Sequence, residues 1–462
     1  MLRFLIVVRS EERSHAGERA GNTVNRTFDT PAGPVVGRVD GDVVRVLGIP
    51  YATAERFAAP RPLAPFEEPF AAHERAPAAP QRAAELLNRL IGDDDLGFDE
   101  HCQRLSVTLP SDLVDDERLP VMVWIHGGSY VIGAGDLDVY DPRALVAEQR
   151  VVVVAVTYRL GMLGFLGDGA RVPANLGLLD QLVALRWVRD NIAAFGGDPG
   201  AVTLFGQSAG GDAIAHLMIS DGAAGLFRRA IIQSAPLGIT YGRAAMTEAM
   251  LAAVGESQRD APVDDVIDRQ AVAERAARGF GLPGRMPFGV QYGLPPVPDE
   301  ADRDAAWRSA ARRIDVLIGS TIEEMALFAA AVPLLTLLFR VPVLGRLARS
   351  ALVTPPTRKV YDTPAKEFER RHREAGGQAV RYQLTWRPAG SAFGAAHITD
   401  IPLILGSRRS WAGTRLLGSS TWPDIDRRGR LIRRIWADFA RTGKVSADAA
   451  SAARDTITFP TD

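Results

Sequence analysis

The chain has 462 residues, of which 47% are hydrophobic and 24% are charged, and its formal net charge is −1. Its 54 basic and 55 acidic residues are spread along the chain, which argues against a nucleic-acid-binding surface. The length fits one large α/β domain or two to three smaller ones. Cys102 is the only cysteine, which excludes an intrachain disulfide and a cysteine-rich zinc site and favours a cytoplasmic location.

The N-terminal residues lack the pattern of a secretory leader, because their apolar run at 4–8 is too short for a signal-peptide core. The most apolar stretch elsewhere, 326–338, continues into residues that two arginines and a proline interrupt, so no membrane-spanning helix is predicted. We expect residues 1–26 to form a mobile tail and residues 27–462 to form a single domain.

Apolar runs rich in β-branched residues predict the strands of a parallel sheet. The runs "VMVWI" at 121–125, "VVVVAVTY" at 151–158 and "AVTLFG" at 201–206 have the composition of strands buried on both faces. Further strands are predicted at 228–235, 314–320 and 380–386.

A helix is predicted between the second and third of these strands. Leu178, Leu182 and Leu185 recur at helical spacing, and Gly196 is a stop signal. Strands and helices alternate along the chain, so we predict an α/β fold with a mostly parallel central sheet and helices on both faces.

The segment "FGQSAGGDAIAHL" places Ser208 between Gly206 and Gly210. A G-x-S-x-G pattern between a strand and a helix predicts a sharp turn that exposes the serine hydroxyl at the edge where α/β sheets carry reactive groups. An ordinary glycine-rich loop is the alternative, since the chain has 44 glycines. The position between a strand and a helix favours the turn and makes Ser208 the candidate nucleophile.

The segment "WIHGGSYVIGAG" follows an earlier predicted strand and has the composition of an oxyanion loop. Gly127 and Gly128 have no side chains, so backbone N–H groups there can approach a developing oxyanion. His126 belongs to this loop, and we expect a structural role for it.

A serine nucleophile needs a base and an acid. Among the seven histidines, His397 is the best base, because it lies in a loop of small residues after a predicted strand. The strand predicted at 314–320 is followed by Glu323 and Glu324, either of which could be the acid. Alternatively, both are charges at the start of a helix. Asp400 is the next candidate.

With these residues identified, the chain resembles the type B carboxylesterase family, the cholinesterase-like branch of the α/β-hydrolases. Six segments are similar to the family's signature segments and follow the same order: "GIPYATAERFAAPRP", "VMVWIHGGSYVIGAG", "VVVVAVTYRLGMLGFL", "NLGLLDQLVALRWVRDNIAAFGGDPGAVTLFGQSAGG", "FRRAIIQSA" and "WADFARTG". The resemblance extends from about Thr30 to about Lys444 and implies an α/β-hydrolase fold.

The resemblance also implies roles for individual residues. It makes Ser208 the acyl-forming nucleophile, Glu324 the acid and His397 the base, in the order expected for this fold. It places the oxyanion donors at the backbone N–H groups of Gly128, Ser129 and Ala209, next to Gly127.

The chain departs from the family pattern at three positions. Ser129 stands where the family usually has a third glycine, which reduces the backbone's freedom to adopt positive φ. Gln207 replaces a frequent glutamate before the nucleophile, so a cationic choline ester is not the expected substrate. Ala79 stands where the family usually has the disulfide partner of Cys102.

These observations predict a serine carboxylesterase acting on uncharged short-to-medium acyl or aryl esters, with no cofactor and no metal. The expected partner is a small-molecule ester, with no nucleic acid and no integral membrane segment, and the state is monomer or dimer. The alternative is a non-catalytic binding protein that keeps the hydrolase fold. A serine–lysine hydrolase is excluded, because no lysine follows a serine in the S-x-x-K pattern.

The apolar segment 331–352, between the candidate acid and base, contains scattered arginines. One hypothesis is a lid that covers the acyl pocket and touches lipid or micelle surfaces. The alternative is a buried helix pair interrupted at Pro342.

Overall fold

The computed structural model describes residues 24–82, 94–114, 116–256, 259–329, 332–339, 341 and 344–460. The strands are β1 (Asn25–Thr30), β2 (Gly33–Asp40), β3 (Val43–Pro50), β4 (Ala52–Thr53), β5 (Arg61–Pro62), β6 (Phe70–Ala71), β7 (Arg104–Pro110), β8 (Leu119–Ile125), β9 (Val152–Val156), β10 (Gly197–Gln207), β11 (Arg229–Gln233), β12 (Asp315–Thr321), β13 (Ala379–Leu384) and β14 (Ile457–Thr458).

The α-helices are α1 (Arg143–Gln149), α2 (Gly161–Phe165), α3 (Leu176–Asn191), α4 (Ala209–Leu217), α5 (Ala244–Val254), α6 (Val263–Ala277), α7 (Arg303–Ala310), α8 (Ala326–Ala329), α9 (Pro333–Leu338), α10 (Leu344–Leu352), α11 (Thr354–Thr357), α12 (Thr363–Glu374), α13 (Ile401–Ile404), α14 (Trp422–Thr442) and α15 (Ala447–Ala452). A π-helical turn at Arg358–Asp362 joins α11 to α12, and short 3-10 turns connect several other elements. No helix in the described residues is long and apolar enough to cross a membrane.

The large sheet has a parallel centre and antiparallel edges. Its strand order is β1-β2-β3-β7-β9-β8-β10-β11-β12-β13-β14, and β6 pairs with β2. The strands from β9 to β13 in this order run parallel to their neighbours, whereas β1, β2, β3, β7 and β14 pair antiparallel. The carboxyl ends of the parallel strands therefore share one edge.

The sheet is covered on both faces, as its β-branched strands require. Along β8, Val123 and Ile125 belong to one hydrophobic core, whereas Met122 and Trp124 belong to the other. The side chains of α3 and α4 pack in the first core, and those of α14 pack in the second. Because successive strand residues point to opposite faces, this division confirms the predicted α/β architecture.

The predicted strands and the helix α3 are present, with ends shifted by a few residues. The alternation of strand and helix fails near the N-terminus, because β1 to β7 follow one another with no helix among the described residues there. Of these strands, β1, β2, β3 and β7 pair antiparallel at the sheet edge, an arrangement that needs no crossover helix, whereas β4 and β5 form a separate two-stranded sheet. Asn25 and Arg26, at the end of the predicted tail, lie in β1, and residues 1–23 lie outside the described residues.

The junction between β10 and α4 lies unusually close to the end of β8. A Cβ atom at Gly206 would lie 2.5 Å from the carbonyl oxygen of Ile125, and one at Gly210 would lie 2.0 Å from the same atom. Both glycines are therefore required by packing against backbone. This explains why small residues surround Ser208.

We predict that Gly210→Ala destabilises the protein by about 1–3 kcal/mol, because the new methyl group collides with backbone that cannot rotate away. Gly279→Ala is the control, since a Cβ there meets no atom within 4 Å. It should change stability by no more than about 0.5 kcal/mol. Thermal or chemical unfolding measures both, and equal stability of the two variants would contradict the packing argument.

Candidate active site

Ser208 occupies the turn from β10 to α4 in a strained conformation. Its φ is 59° and its ψ is −125°, a region that non-glycine residues rarely adopt. Its N–H donates to the carbonyl oxygen of Gln233 at 2.8 Å, and its carbonyl oxygen accepts from Asp212 N–H at 2.9 Å. These bonds hold the backbone in place, and the residue remains 8% exposed.

The glycine loop after β8 lies directly against this turn. A Cβ at Gly127 would lie 3.1 Å from the Cβ of Ser208 and 2.6 Å from the carbonyl oxygen of Gln207. Gly128 has φ 113°, and Ser129 also adopts positive φ, at 55°. The serine at this position therefore takes the left-handed conformation despite its side chain.

The backbone N–H groups of Gly128, Ser129 and Ala209 donate to no group within the described part of the chain. Ala209 is the first residue of α4, where helix N–H groups have no intrahelical acceptor and the helix dipole favours negative charge. Unpaired N–H groups on two segments that meet at Ser208 are what a tetrahedral oxyanion requires.

His126 packs beside the glycine loop that follows β8. It is fully buried, its ring stacks on Tyr158 with centroids 4.4 Å apart, and its Nδ1 lies 2.8 Å from the carbonyl oxygen of Gly127. Burial lowers the pKa of His126 to about 4, so the imidazole is neutral at neutral pH. The structural role expected for this histidine fits these contacts.

His397 and Glu324 come together at the same edge of the sheet. Glu324 follows β12 and is fully buried, and His397 lies in the loop between β13 and α13. His397 Nδ1 makes a short hydrogen bond to Glu324 Oε2, while Glu324 Oε1 accepts from Thr321 N–H at 2.6 Å. A carboxylate at Nδ1 orients the imidazole and leaves Nε2 available as a base.

Glu323 points elsewhere. Its Oε2 accepts from Arg387 Nε at 2.7 Å and from the backbone N–H of Ala395 at 3.0 Å. The Glu323 N–H also donates to the carbonyl oxygen of Ala395 at 2.9 Å. Glu323 thus holds the loop that carries His397 without touching the imidazole.

Asp400 does not contact His397 through its carboxylate. Asp400 is buried, and its Oδ2 accepts from Gln233 Nε2 at 2.6 Å. Burial, with a smaller contribution from Glu324, raises the pKa of Asp400 to about 6. Of the three carboxylates considered, only Glu324 lies at His397 Nδ1.

Three residues lie beside His397 that the sequence did not predict there. Gln207 Nε2 lies 3.2 Å from His397 Nε2 and 3.4 Å from its Nδ1, so the amide contacts both ring nitrogens. The rings of Phe328 and Tyr361 lie 5.5 and 5.4 Å from the imidazole centroid. The position of Gln207 before the nucleophile was the only available signal, because Phe328 and Tyr361 reach the site through tertiary packing.

Comparison with known proteins identifies the family. The model of the carboxylesterase family matches residues 24–334. The chain belongs to the carboxylesterase family. It is 39% identical to a probable N-octanoylanthranilate hydrolase of Rhodococcus erythropolis, over 91% of this chain and 94% of that protein. It is also 32% identical to the para-nitrobenzyl esterase of Bacillus subtilis, over 91% of this chain and 90% of that protein.

Solved structures agree with this assignment. A thermophilic PNB esterase superposes with a TM-score of 0.78 at 29% identity, covering 95% of this chain and 94% of its own. A carboxylesterase of Geobacillus stearothermophilus gives a TM-score of 0.70 at 27% identity, covering 92% of each chain. This member of the carboxylesterase family therefore has the predicted α/β-hydrolase fold and is a carboxylic-ester hydrolase.

We predict that Glu324→Gln lowers kcat/KM of this carboxylesterase by on the order of 10⁴, because an amide favours the wrong histidine tautomer and cannot stabilise the imidazolium. Steady-state hydrolysis of a soluble aryl ester measures the loss, and circular dichroism checks that the fold is kept.

Glu323→Gln is the matched control, since it makes the same chemical change one residue away. Its amide oxygen can still accept from Ala395 N–H, so we expect kcat/KM to fall no more than a few-fold. The reverse order of the two losses would make Glu323 the acid.

The buried Asp400 predicts a pH dependence of stability. Its pKa is higher in the folded protein than the ordinary 3.8, so the folded state binds this proton more tightly. The free energy of unfolding should therefore fall, by about 3 kcal/mol in all, as the pH rises from well below 4 to well above 6.

Asp400→Asn removes this ionisation and keeps an oxygen that can accept from Gln233. Denaturant unfolding at pH 4.5 and 7.5 should show the wild type losing stability relative to this variant as pH rises. If the free energies of unfolding of the two proteins differ by the same amount at both pH values, the pKa of Asp400 is not raised in the folded protein.

Proposed function

We propose that the chain hydrolyses esters through an acyl-enzyme on Ser208, with His397 as the base and Glu324 as the acid. The observation that carries the proposal is the meeting of three independent parts: a strained serine turn, unpaired backbone N–H groups beside it, and a carboxylate-bound histidine. Each part is supplied by a segment at the carboxyl edge of the parallel sheet.

The reaction follows from these positions. Glu324 accepts a hydrogen bond from Nδ1–H of His397, so the lone pair of Nε2 takes the Ser208 Oγ proton as Oγ attacks the ester carbonyl carbon, and the imidazolium forms. The C–O bond to the alcohol then breaks, and His397 returns the proton to the leaving oxygen. Water repeats the cycle on the acyl-enzyme and releases the acid. Ser208 Oγ makes no hydrogen bond to any described residue, and such catalytic bonds often tighten only when substrate is bound.

The oxyanion of each tetrahedral intermediate is bound by the N–H groups of Gly128, Ser129 and Ala209, with Gly127 leaving room beside the serine. Preorganised donors of this kind contribute about 3–4 kcal/mol each to transition-state stabilisation. The chemistry needs no cofactor and no metal.

We expect uncharged esters of short-to-medium acyl or aryl groups. Gln207 places a neutral amide, in place of a carboxylate, beside the imidazole, so no charge there recognises a cationic alcohol. Similarity to the Rhodococcus hydrolase makes an N-acyl aromatic amide a second candidate substrate class. Its hydrolysis needs the same steps, with His397 protonating the departing amine.

We predict a cytoplasmic location and a small-molecule ester as the partner. We also predict that residues 27–462 form one domain, with a tail before it. Cys102, the only cysteine of the sequence, is buried in the main hydrophobic core.

The central test is Ser208→Ala. We expect kcat to fall by on the order of 10⁵–10⁶ while the fold is unchanged, because the hydroxyl makes no hydrogen bond to any described residue and its loss removes a single small atom. A fluorophosphonate probe should label the wild type and fail to label this variant. Wild-type-like turnover of the variant would contradict the proposal, and an unlabelled, inactive wild type would favour the non-catalytic binding protein.

A substrate panel then separates the two candidate classes. Aryl esters of increasing acyl length, a para-nitrobenzyl ester and N-octanoylanthranilate should be compared at equal enzyme concentration. Faster turnover of esters at every acyl length supports the esterase proposal. A kcat/KM for N-octanoylanthranilate above that of all the esters would make the amide class the better assignment.

A further inference from the structure

One stretch of the chain exposes apolar side chains to solvent. Of the thirteen large hydrophobic residues that are exposed in the described structure, seven lie within residues 328–352. They are Phe328, Val332, Leu337, Val341, Leu344, Leu347 and Leu352. Such a concentration marks an interaction surface, because proteins in water rarely expose contiguous apolar area without a use for it. It also contradicts the alternative of a buried helix pair.

Helix α10 carries its apolar stripe on the solvent side. Leu344, Leu347 and Leu352 fall on one face at helical spacing, and the first two are 53% and 62% exposed. An ordinary surface helix turns this stripe towards the core. The outward stripe therefore needs a partner that the described chain does not supply.

Arg349 of α10 faces inward. Arg349 stacks on the ring of Phe339 at 4.6 Å and donates to the carbonyl oxygens of Ala392 and Phe393. Its guanidinium lies 3.8 Å from Glu323, the residue that holds the loop of His397. These contacts fix the orientation of the helix, so its exposed stripe does not result from a free rotation.

The apolar stretch reaches the candidate active site at its first residue. Phe328, which is 41% exposed, contacts the imidazole of His397 and begins the apolar stretch. A surface that covered α9 and α10 would therefore lie beside the entrance to the catalytic histidine.

Charge indicates which partner fits. From Met325 to Tyr361 the sequence has five cationic residues and no Asp or Glu, although the whole chain is slightly acidic. A second copy of this face would bring cations against cations in a symmetric contact. Segments that bind at an anionic lipid interface are instead typically rich in leucine, lysine and arginine and lack acidic residues.

We propose that the surface formed by α9 and α10 docks on an anionic lipid–water interface and holds the active-site entrance against it. The leucines insert among the acyl chains, and the cationic residues of the stretch other than Arg349, of which Arg358 and Lys359 are exposed, attract the headgroups. This docking does not depend on the identity of the catalytic residues.

The test is co-sedimentation of the full chain with large unilamellar vesicles of phosphatidylcholine, with and without phosphatidylglycerol. The wild type should bind the anionic vesicles more tightly than the neutral ones, and added salt should weaken this binding. The variant Leu337→Ser/Leu344→Ser/Leu347→Ser should lower the partition coefficient on the order of tenfold or more.

A matched control replaces exposed apolar residues outside the stretch. The variant Leu63→Ser/Val114→Ser makes the same kind of change at exposed positions and should bind vesicles like the wild type. Ser208→Ala should also bind like the wild type, which separates a failure of docking from a failure of the proposed chemistry. The triple leucine variant and the Leu63→Ser/Val114→Ser control should both hydrolyse a soluble short ester within about twofold of the wild type, which excludes unfolding.

Three results would overturn the proposal. The first is no partitioning of the wild type, or equal partitioning onto neutral and anionic vesicles. The second is equal partitioning of the triple variant and its control. The third is a wild-type dimer, seen by analytical ultracentrifugation, that the triple variant dissociates, since a second copy of the chain would then cover the stripe.

Discussion

The close approach of the β10–α4 turn to the carbonyl oxygen of Ile125 is the contact on which the site depends. Gly206 and Gly210 permit it, since a Cβ at either position would collide with that oxygen. The approach brings the loop after β8 against Ser208, so that the serine and the unpaired N–H groups of Gly128, Ser129 and Ala209 belong to one rigid junction. Positive φ at Ser208 and Ser129 is a cost that the surrounding packing must offset. Preorganisation of this kind avoids reorganisation when charge develops on a substrate.

The second half of the site is built differently, from loops that follow β12 and β13. There the geometry is set by carboxylates. Glu324 is buried and shared between Thr321 N–H and His397 Nδ1, whereas Glu323 fixes the backbone of the loop at Ala395. Adjacent acids thus do different work because their side chains diverge: one contacts the imidazole and the other positions the segment that carries it. The Glu324 carboxylate has a hydrogen bond to each oxygen, whereas one oxygen of Asp400 has no hydrogen-bond partner among the described residues, and the pKa of Asp400 is raised.

The segment from Phe328 to Leu352 combines two constraints that rarely coincide. Arg349 is anchored inward at Glu323, whereas Leu344, Leu347 and Leu352 are exposed to solvent. Through Glu323 the same helix is linked to the loop of His397. Any partner that binds the outer face of α10 therefore acts on a helix already connected to the loop of His397, which gives a physical route between surface binding and the candidate site.

Features of the fold that depend on residues close together in the chain could be predicted from the sequence. The parallel strands were evident because both-face burial demands continuous β-branched runs, and the Ser208 turn was evident because its glycines are adjacent in the chain. The resemblance to the carboxylesterase family, which the comparisons confirm, came from ordered segments of the same kind. The resemblance implied Glu324 as the acid, and the structure shows that Glu324 and not Glu323 contacts His397. Only the tertiary structure placed Phe328, Tyr361 and Gln207 around His397 and showed the antiparallel strands β1 to β3 at the sheet edge. It also showed that the apolar face of α10 points to solvent. These features depend on contacts between residues far apart in the chain, and periodicity reveals that a helix has an apolar face but not what that face meets.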